Sequence, residues 1–114
     1  MHEMALMGGV FEAITSTLAQ YEVKKVNLVK LKIGKLTNAE PEALQMAFEA
    51  YAKGTICEGA QLQIELVPVK ARCKSCQAEF DVDELAFVCP VCEGLGVEII
   101  QGEELLLESL EVEQ

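Results

Sequence analysis

Four cysteines stand in two close pairs, Cys73 with Cys76 and Cys89 with Cys92. The spacing is C-x2-C, twelve residues, C-x2-C. Each pair can form a tight knuckle with both sulfurs aimed at one point. Two facing knuckles put four sulfurs at the corners of a tetrahedron. That donor set suits Zn2+, which binds thiolate strongly and has no d-electron preference of geometry. The loop between the pairs is shorter than the commonest zinc spacing but of the same kind. The same cage can hold iron, and the same residues can form two disulfides or a dithiol redox centre.

The second place where residue types suggest chemistry is the amino terminus, Met1-His2-Glu3, which carries the only histidine. A methionine before a bulky second residue is normally retained, so a free Met1 amine is expected. That amine and the His2 main-chain nitrogen close a five-membered chelate ring. The same main-chain nitrogen and the imidazole Nδ1 close a six-membered ring. The Glu3 amide nitrogen or carboxylate can supply a fourth donor. Square-planar nitrogen ligation is what Ni(II) and Cu(II) prefer. The plain alternative is a frayed terminus with no role, and the tripeptide alone is not specific.

Composition narrows the classes. At 114 residues the chain is one domain, or one domain with a small metal-stapled module. Its apolar share of 51% permits a real core. No stretch approaches the roughly 20 apolar residues of a membrane span. The first residues have neither the basic region nor the long apolar run of a signal peptide. A cytoplasmic location is expected, where thiols stay reduced and metal is favoured over disulfides. Charge is segregated within the net −10. Up to Lys74 there are nine bases and eight acids; from Ser75 onward there are eleven acids and no Lys or Arg. A zinc ribbon that grips nucleic acid needs cations against phosphate, so a basic protein partner is expected instead, beside the plainer reading of a soluble acidic surface.

The elements that must position these residues follow from periodicity. Met7, Phe11, Ile14, Leu18 and Tyr21 share one face of a helix over residues 3–21, although Gly8-Gly9 weakens its first turns. Val29, Leu31 and Ile33 alternate with Lys30 and Lys32 in a strand over 26–36. Pro41 suits a helix N1 position, which makes Glu40 the cap, and Glu42 suits the positive end of the dipole. Leu44, Phe48 and Tyr51 form that helix's buried stripe, with Ala47 beside it, and Lys53-Gly54 is the stop. A second strand carries Leu62, Ile64 and Leu66 and runs on through Lys70-Ala71-Arg72 into the first knuckle. Val97–Ile100 and Leu105–Val112 also read as strands, the last returning to the amino-terminal sheet. The expected fold is α+β: a small mixed three-stranded sheet with two helices, plus an inserted four-cysteine zinc-ribbon-like module. Residues 1–70 and 103–114 are expected to form an α/β domain that carries the amino-terminal chelate, and 71–102 the zinc-binding module. Cys57, outside the quartet, reads as a small buried hydrophobe, and Met4 and Met7 as packing.

Taken together, the terminus and the quartet resemble the HypA family of hydrogenase-maturation nickel metallochaperones. The resemblance rests on Met1-His2-Glu3-Met4-Ala5-Leu6, on Cys73-Lys74-Ser75-Cys76 with Cys89-Pro90-Val91-Cys92, on Gly59-Ala60, and on Gln101-Gly102 with Leu107-Glu108-Ser109-Leu110. It covers essentially the whole chain. It implies a non-enzymatic protein that binds Ni2+ at its terminus as transient cargo, with His2 as ligand and Met1 and Glu3 supplying main-chain nitrogens. It implies structural Zn2+ on Cys73, Cys76, Cys89 and Cys92. The implied partners are a nickel-handling GTPase, the [NiFe]-hydrogenase large subunit and, in some organisms, urease maturation proteins. Glu40 falls where some members place an acidic residue near the nickel site.

Two other classes fit parts of the chain. One is an electron-transfer module with iron in the four-sulfur cage, shielded by Phe80 and Phe87; most of the chain would then have no purpose. The other is a zinc-ribbon protein-interaction adaptor. No P-loop, nucleophile elbow or second histidine points to an enzyme.

Overall fold

The computed structural model describes residues 2–83 and 86–114, with only the main chain at His2. The chain divides into two compact units. The first comprises Met1–Lys32, Ala39–Glu65 and Leu105–Gln114; the second comprises Ile33–Asn38 and Leu66–Glu104.

The first unit holds two helices, α1 (His2–Leu18) and α2 (Pro41–Ala52), and the sheet order β2-β1-β6. Its strands are β1 (Lys25–Gly34), β2 (Gln61–Val67) and β6 (Leu105–Glu113). The Lys24 N–H donates to the Glu113 carbonyl at 2.8 Å and Lys32 Nζ lies 3.8 Å from Glu108. Partners therefore descend as β1 ascends, and β6 runs antiparallel to it. Val29, Leu31 and Ile33 are buried while Lys30 and Lys32 reach outward, as alternation predicts. Val26 and Leu28 are buried too, so the period slips between Leu28 and Val29.

Helix α1 packs on α2 and beside β6. Its buried face is Met7, Val10 and Ile14. The helix stops at Leu18, before Tyr21, which is left 59% exposed instead of completing the stripe. Phe11 lies between Phe48 and Tyr51, with ring centroids 5.5 and 5.4 Å away. Leu44, Ala47 and Phe48 form the buried face of α2. Removing such side chains from water contributes roughly 1.5–3 kcal/mol for each large one. The Gln45 amide ties α2 to β2 through the Leu62 carbonyl at 2.9 Å. Cys57 is buried, as its apolar character predicts.

The second unit carries the cysteine pairs on its own antiparallel sheet, β4-β3-β5. These strands are β3 (Lys70–Cys73), β4 (Glu79–Asp81) and β5 (Val97–Gln101). The sequence suggested one strand continuing through Lys70-Ala71-Arg72. The structure breaks it at Pro68, whose missing N–H suits a strand end, and β3 joins a different sheet. β4 was not foreseen because three residues are too few to show a period. Val69, Ala71 and Val82 form a small core, covered by Phe80, Phe87, Val97, Ile99 and Leu36. Leu36 belongs to a 3-10 turn, Lys35–Thr37, and not to the strand expected to reach it. Gly34 and Gly102 meet backbone to backbone: a Cβ on Gly34 would overlap the Gly102 carbonyl, and Gly102 itself has φ +118.

Candidate metal centre

Both knuckles are built by the same backbone turn. The Cys73 N–H donates to the Ala78 carbonyl, and the Cys73 carbonyl accepts from the Gln77 N–H, both at 2.9 Å. In the second knuckle the Cys89 N–H donates to the Gly94 carbonyl at 3.0 Å, and its carbonyl accepts from the Glu93 N–H at 2.9 Å. Each chain reversal needs a left-handed residue four places after the first cysteine. Gln77 has φ 67 and Glu93 has φ 60, a conformation unfavourable for residues with a Cβ. The Lys74 N–H reaches across to the Gly96 carbonyl at 2.9 Å, joining the first knuckle to the exit of the second.

The four Sγ atoms converge within 4.8 Å of one another. The closest pairs join the two knuckles: Cys73 to Cys92 at 3.5 Å and Cys76 to Cys89 at 3.6 Å. A disulfide would need about 2.05 Å, and all five cysteines are free. A tetrahedral ion about 2.3 Å from each sulfur, the zinc–thiolate distance, needs edges of about 3.8 Å. The cluster fits that requirement with small adjustments, so the four thiols can hold a metal. Cys73 and Cys89 are buried, whereas Cys76 and Cys92 are exposed.

Electrostatics prepares the cluster for a cation. The Cys73 thiol is drawn down to about 6, chiefly by the Cys76 N–H, against burial and with help from the Ser75 N–H and the Cys92 and Cys76 thiols. Cys89 is lowered in the same way, chiefly by the Cys92 N–H and then, against burial, by the Val91 N–H. Those two amides lie 3.5 and 3.4 Å from its sulfur. Cys92 is pushed up to about 12: the Gly94 N–H draws it down, but the Cys73 and Cys89 sulfurs, burial and Cys76 outweigh that pull. Cys76 is raised for similar reasons against the Ala78 N–H. One sulfur of each knuckle thus ionises readily, and the resulting negative charge keeps the proton on its neighbours until a cation displaces it.

Gly94 is a residue the sequence reading missed. A Cβ there would lie 3.2 Å from Cys92 Sγ and 3.7 Å from Cys73 Sγ. Its position directly after the second knuckle was the available signal. Gln77 and Glu93 were missed because neither is the glycine that usually marks a left-handed turn.

At the amino terminus, Met1 and the His2 side chain lie outside the described residues. The main chain of His2 and Glu3 opens α1, where the first amides of a helix have no intrahelical acceptor. Glu3 Oε2 accepts the Glu40 N–H at 3.1 Å. The structure therefore brings Glu3 to the start of α2. Glu40 occupies the N-cap position as expected, but its side chain makes no cap bond. The incoming Glu3 carboxylate places negative charge at that positive helix end instead.

Comparison with known proteins agrees with this architecture. A family model described as "Hydrogenase/urease nickel incorporation, metallochaperone, hypA" matches residues 1–112. A hydrogenase maturation factor HypA from Desulfitobacterium hafniense is 73% identical over 114 residues, the whole of both chains. One from Aquifex aeolicus is 35% identical over 99% of this chain and 98% of its own. The solution structure of the Ni metallochaperone HypA from Helicobacter pylori superposes with a TM-score of 0.73 at 28% identity, covering 98% of this chain and 97% of that one. The chain belongs to the HypA family of nickel metallochaperones, maturation factors and not enzymes, which act in nickel incorporation into hydrogenase and urease.

Proposed function

We propose that this protein binds Ni2+ through Met1-His2-Glu3 and delivers it to the [NiFe]-hydrogenase large subunit with a nickel-handling GTPase, while Zn2+ on Cys73, Cys76, Cys89 and Cys92 holds the second unit together. Urease maturation proteins are further candidate recipients. Residues 1–70 and 103–114 serve the nickel function, and 71–102 the zinc module. The observation that carries the nickel reading is the Glu3–Glu40 bond. It anchors the residue next to His2 on α2 and turns the Glu3 carboxylate toward the start of that helix, which favours the Glu3 main-chain nitrogen as the donor. Deprotonating an amide at a helix start breaks no intrahelical bond. Histidine nitrogen and main-chain amides in one plane suit Ni(II).

For zinc, the support is the convergence of four sulfurs and the ready ionisation of Cys73 and Cys89. The unit's buried core is small, so metal binding would supply much of its folding free energy. No helix among the described residues is long and apolar enough to cross a membrane, and no base follows Lys74. Both features suit a cytoplasmic protein that meets other proteins and not lipid or nucleic acid.

One experiment tests the assignment: metal analysis followed by nickel calorimetry on protein with its native, untagged terminus. One zinc per chain is expected at isolation. His2→Ala should abolish tight nickel binding and leave zinc content unchanged. Equal nickel affinity in His2→Ala would overturn the terminal site and direct attention to the cysteines.

A further inference from the structure

The sheet of the first unit ends at β6, and among the described residues nothing pairs with the strand's outer edge. Nine residues, Leu105–Glu113, therefore present a row of main-chain donors and acceptors. Proteins usually blunt such an edge with charged side chains, proline or shortness; this one is long, has no proline, and its only charges are the acids Glu108, Glu111 and Glu113. The Glu113 carbonyl bonds the Lys24 N–H, so Glu113 faces β1. Facing alternates along an antiparallel strand, which turns the main-chain groups of Leu110 and Val112 outward.

A groove of about 380 Å³ runs beside this edge, lined by Leu18, Tyr21 and Val23 and by Leu107, Leu110 and Val112 of β6. The polar residues of the strand are acids and a serine. Glu108 has Lys32 beside it, while among the described residues no ion pair engages Glu111 or Glu113. Pairing two copies edge to edge would gather both sets of glutamates on one ribbon, which costs energy where like charges approach.

We propose that the outer edge of β6 is a docking strand for an extended, lysine- or arginine-bearing segment of a partner protein. That segment adds a fourth strand to β2-β1-β6 and seats an apolar side chain in the groove. Main-chain bonds would supply affinity, the groove and glutamates selectivity. The proposal stands whether or not the terminus holds nickel, and its test uses none.

The probe is an acetylated ten-residue peptide of alternating lysine and valine, titrated by calorimetry and followed by amide hydrogen exchange. Saturable one-to-one binding is expected, with new protection at the Leu110 and Val112 amides. A peptide with glutamate replacing lysine should not bind. Glu111→Lys with Glu113→Lys should weaken binding at least tenfold. Val112→Pro removes an outward donor without touching the bonds to β1, and should weaken it equally. Should Val112→Pro fail to fold, the double charge variant and the exchange pattern decide. Absence of binding to the native chain, binding without protection on β6, or affinity unchanged in these variants overturns the proposal. So does sedimentation showing a native dimer that Val112→Pro dissolves, because the occupant is then a second copy.

Discussion

Replacing Gly94 by Ala should loosen the metal centre without disturbing the knuckle backbone. Gly94 lies outside the left-handed region, so its main chain accepts Ala. The new Cβ would stand 3.2 Å from Cys92 Sγ, closer than ordinary van der Waals contact, so the sulfur must move by a few tenths of an ångström. Metal–ligand distances hold to about 0.2 Å, and that movement exceeds the tolerance. Perturbing groups around metal ligands typically costs 10- to 100-fold in affinity, about 1.4–2.7 kcal/mol. A loss of that size is expected in zinc competition against a chromophoric chelator. Gly96→Ala is the control, since a Cβ there meets nothing within 4 Å and its backbone is equally permissive. Amide exchange at Cys89 should stay slow in both variants, because the bond to the Gly94 carbonyl is retained. Equal zinc affinity in the two variants would refute the reasoning.

Zinc affinity should rise with pH, because protons compete for the same sulfurs. Below about 6 Cys73 carries a proton that zinc must displace, and above that value it is already a thiolate; Cys89 is lowered as well. The slope of log affinity against pH should therefore be steeper at low pH and flatten as pH climbs through about 6, and a competition series across roughly pH 5–8 checks this. Gly34→Ala should destabilise the second unit. The Gly34 backbone, at φ −69 and ψ 139, suits Ala, but the Cβ would overlap the Gly102 carbonyl. Forcing the segments apart strains the bonds from Gly34 to Glu104 at 2.8 Å and from Leu36 to Gly102 at 2.9 Å. Two bonds at about 1 kcal/mol each and the overpacking give roughly 3–5 kcal/mol, read as accelerated exchange at the Gly34 and Leu36 amides.

Much of the fold was legible because its signals are periodic. The alternation around Leu31, the stripe through Leu44 and Phe48, and Pro41 at a helix start each report local physics that tertiary contacts reinforce. The cysteine quartet was legible from spacing alone, since a two-residue gap brings paired sulfurs together whatever surrounds them. Other features had no local signature. The assignment of Lys70–Cys73 to a second sheet depends on partners at Glu79–Asp81 and Val97–Gln101, and pairing is not written in either strand. The end of α1 at Leu18 was missed because Tyr21 kept the helical spacing. The Glu3–Glu40 bond joins residues 37 positions apart, a distance over which no motif speaks.

The unequal exposure of the four sulfurs bears on lability. Cys73 and Cys89 are buried, and Cys76 and Cys92 face solvent. If the four sulfurs hold a metal, Cys76 and Cys92 would be the ligands an entering chelator could reach, while Cys73 and Cys89 would be the shielded ones. A centre of this form can be thermodynamically tight and still turn over its metal quickly when a competing thiol or chelator is at hand.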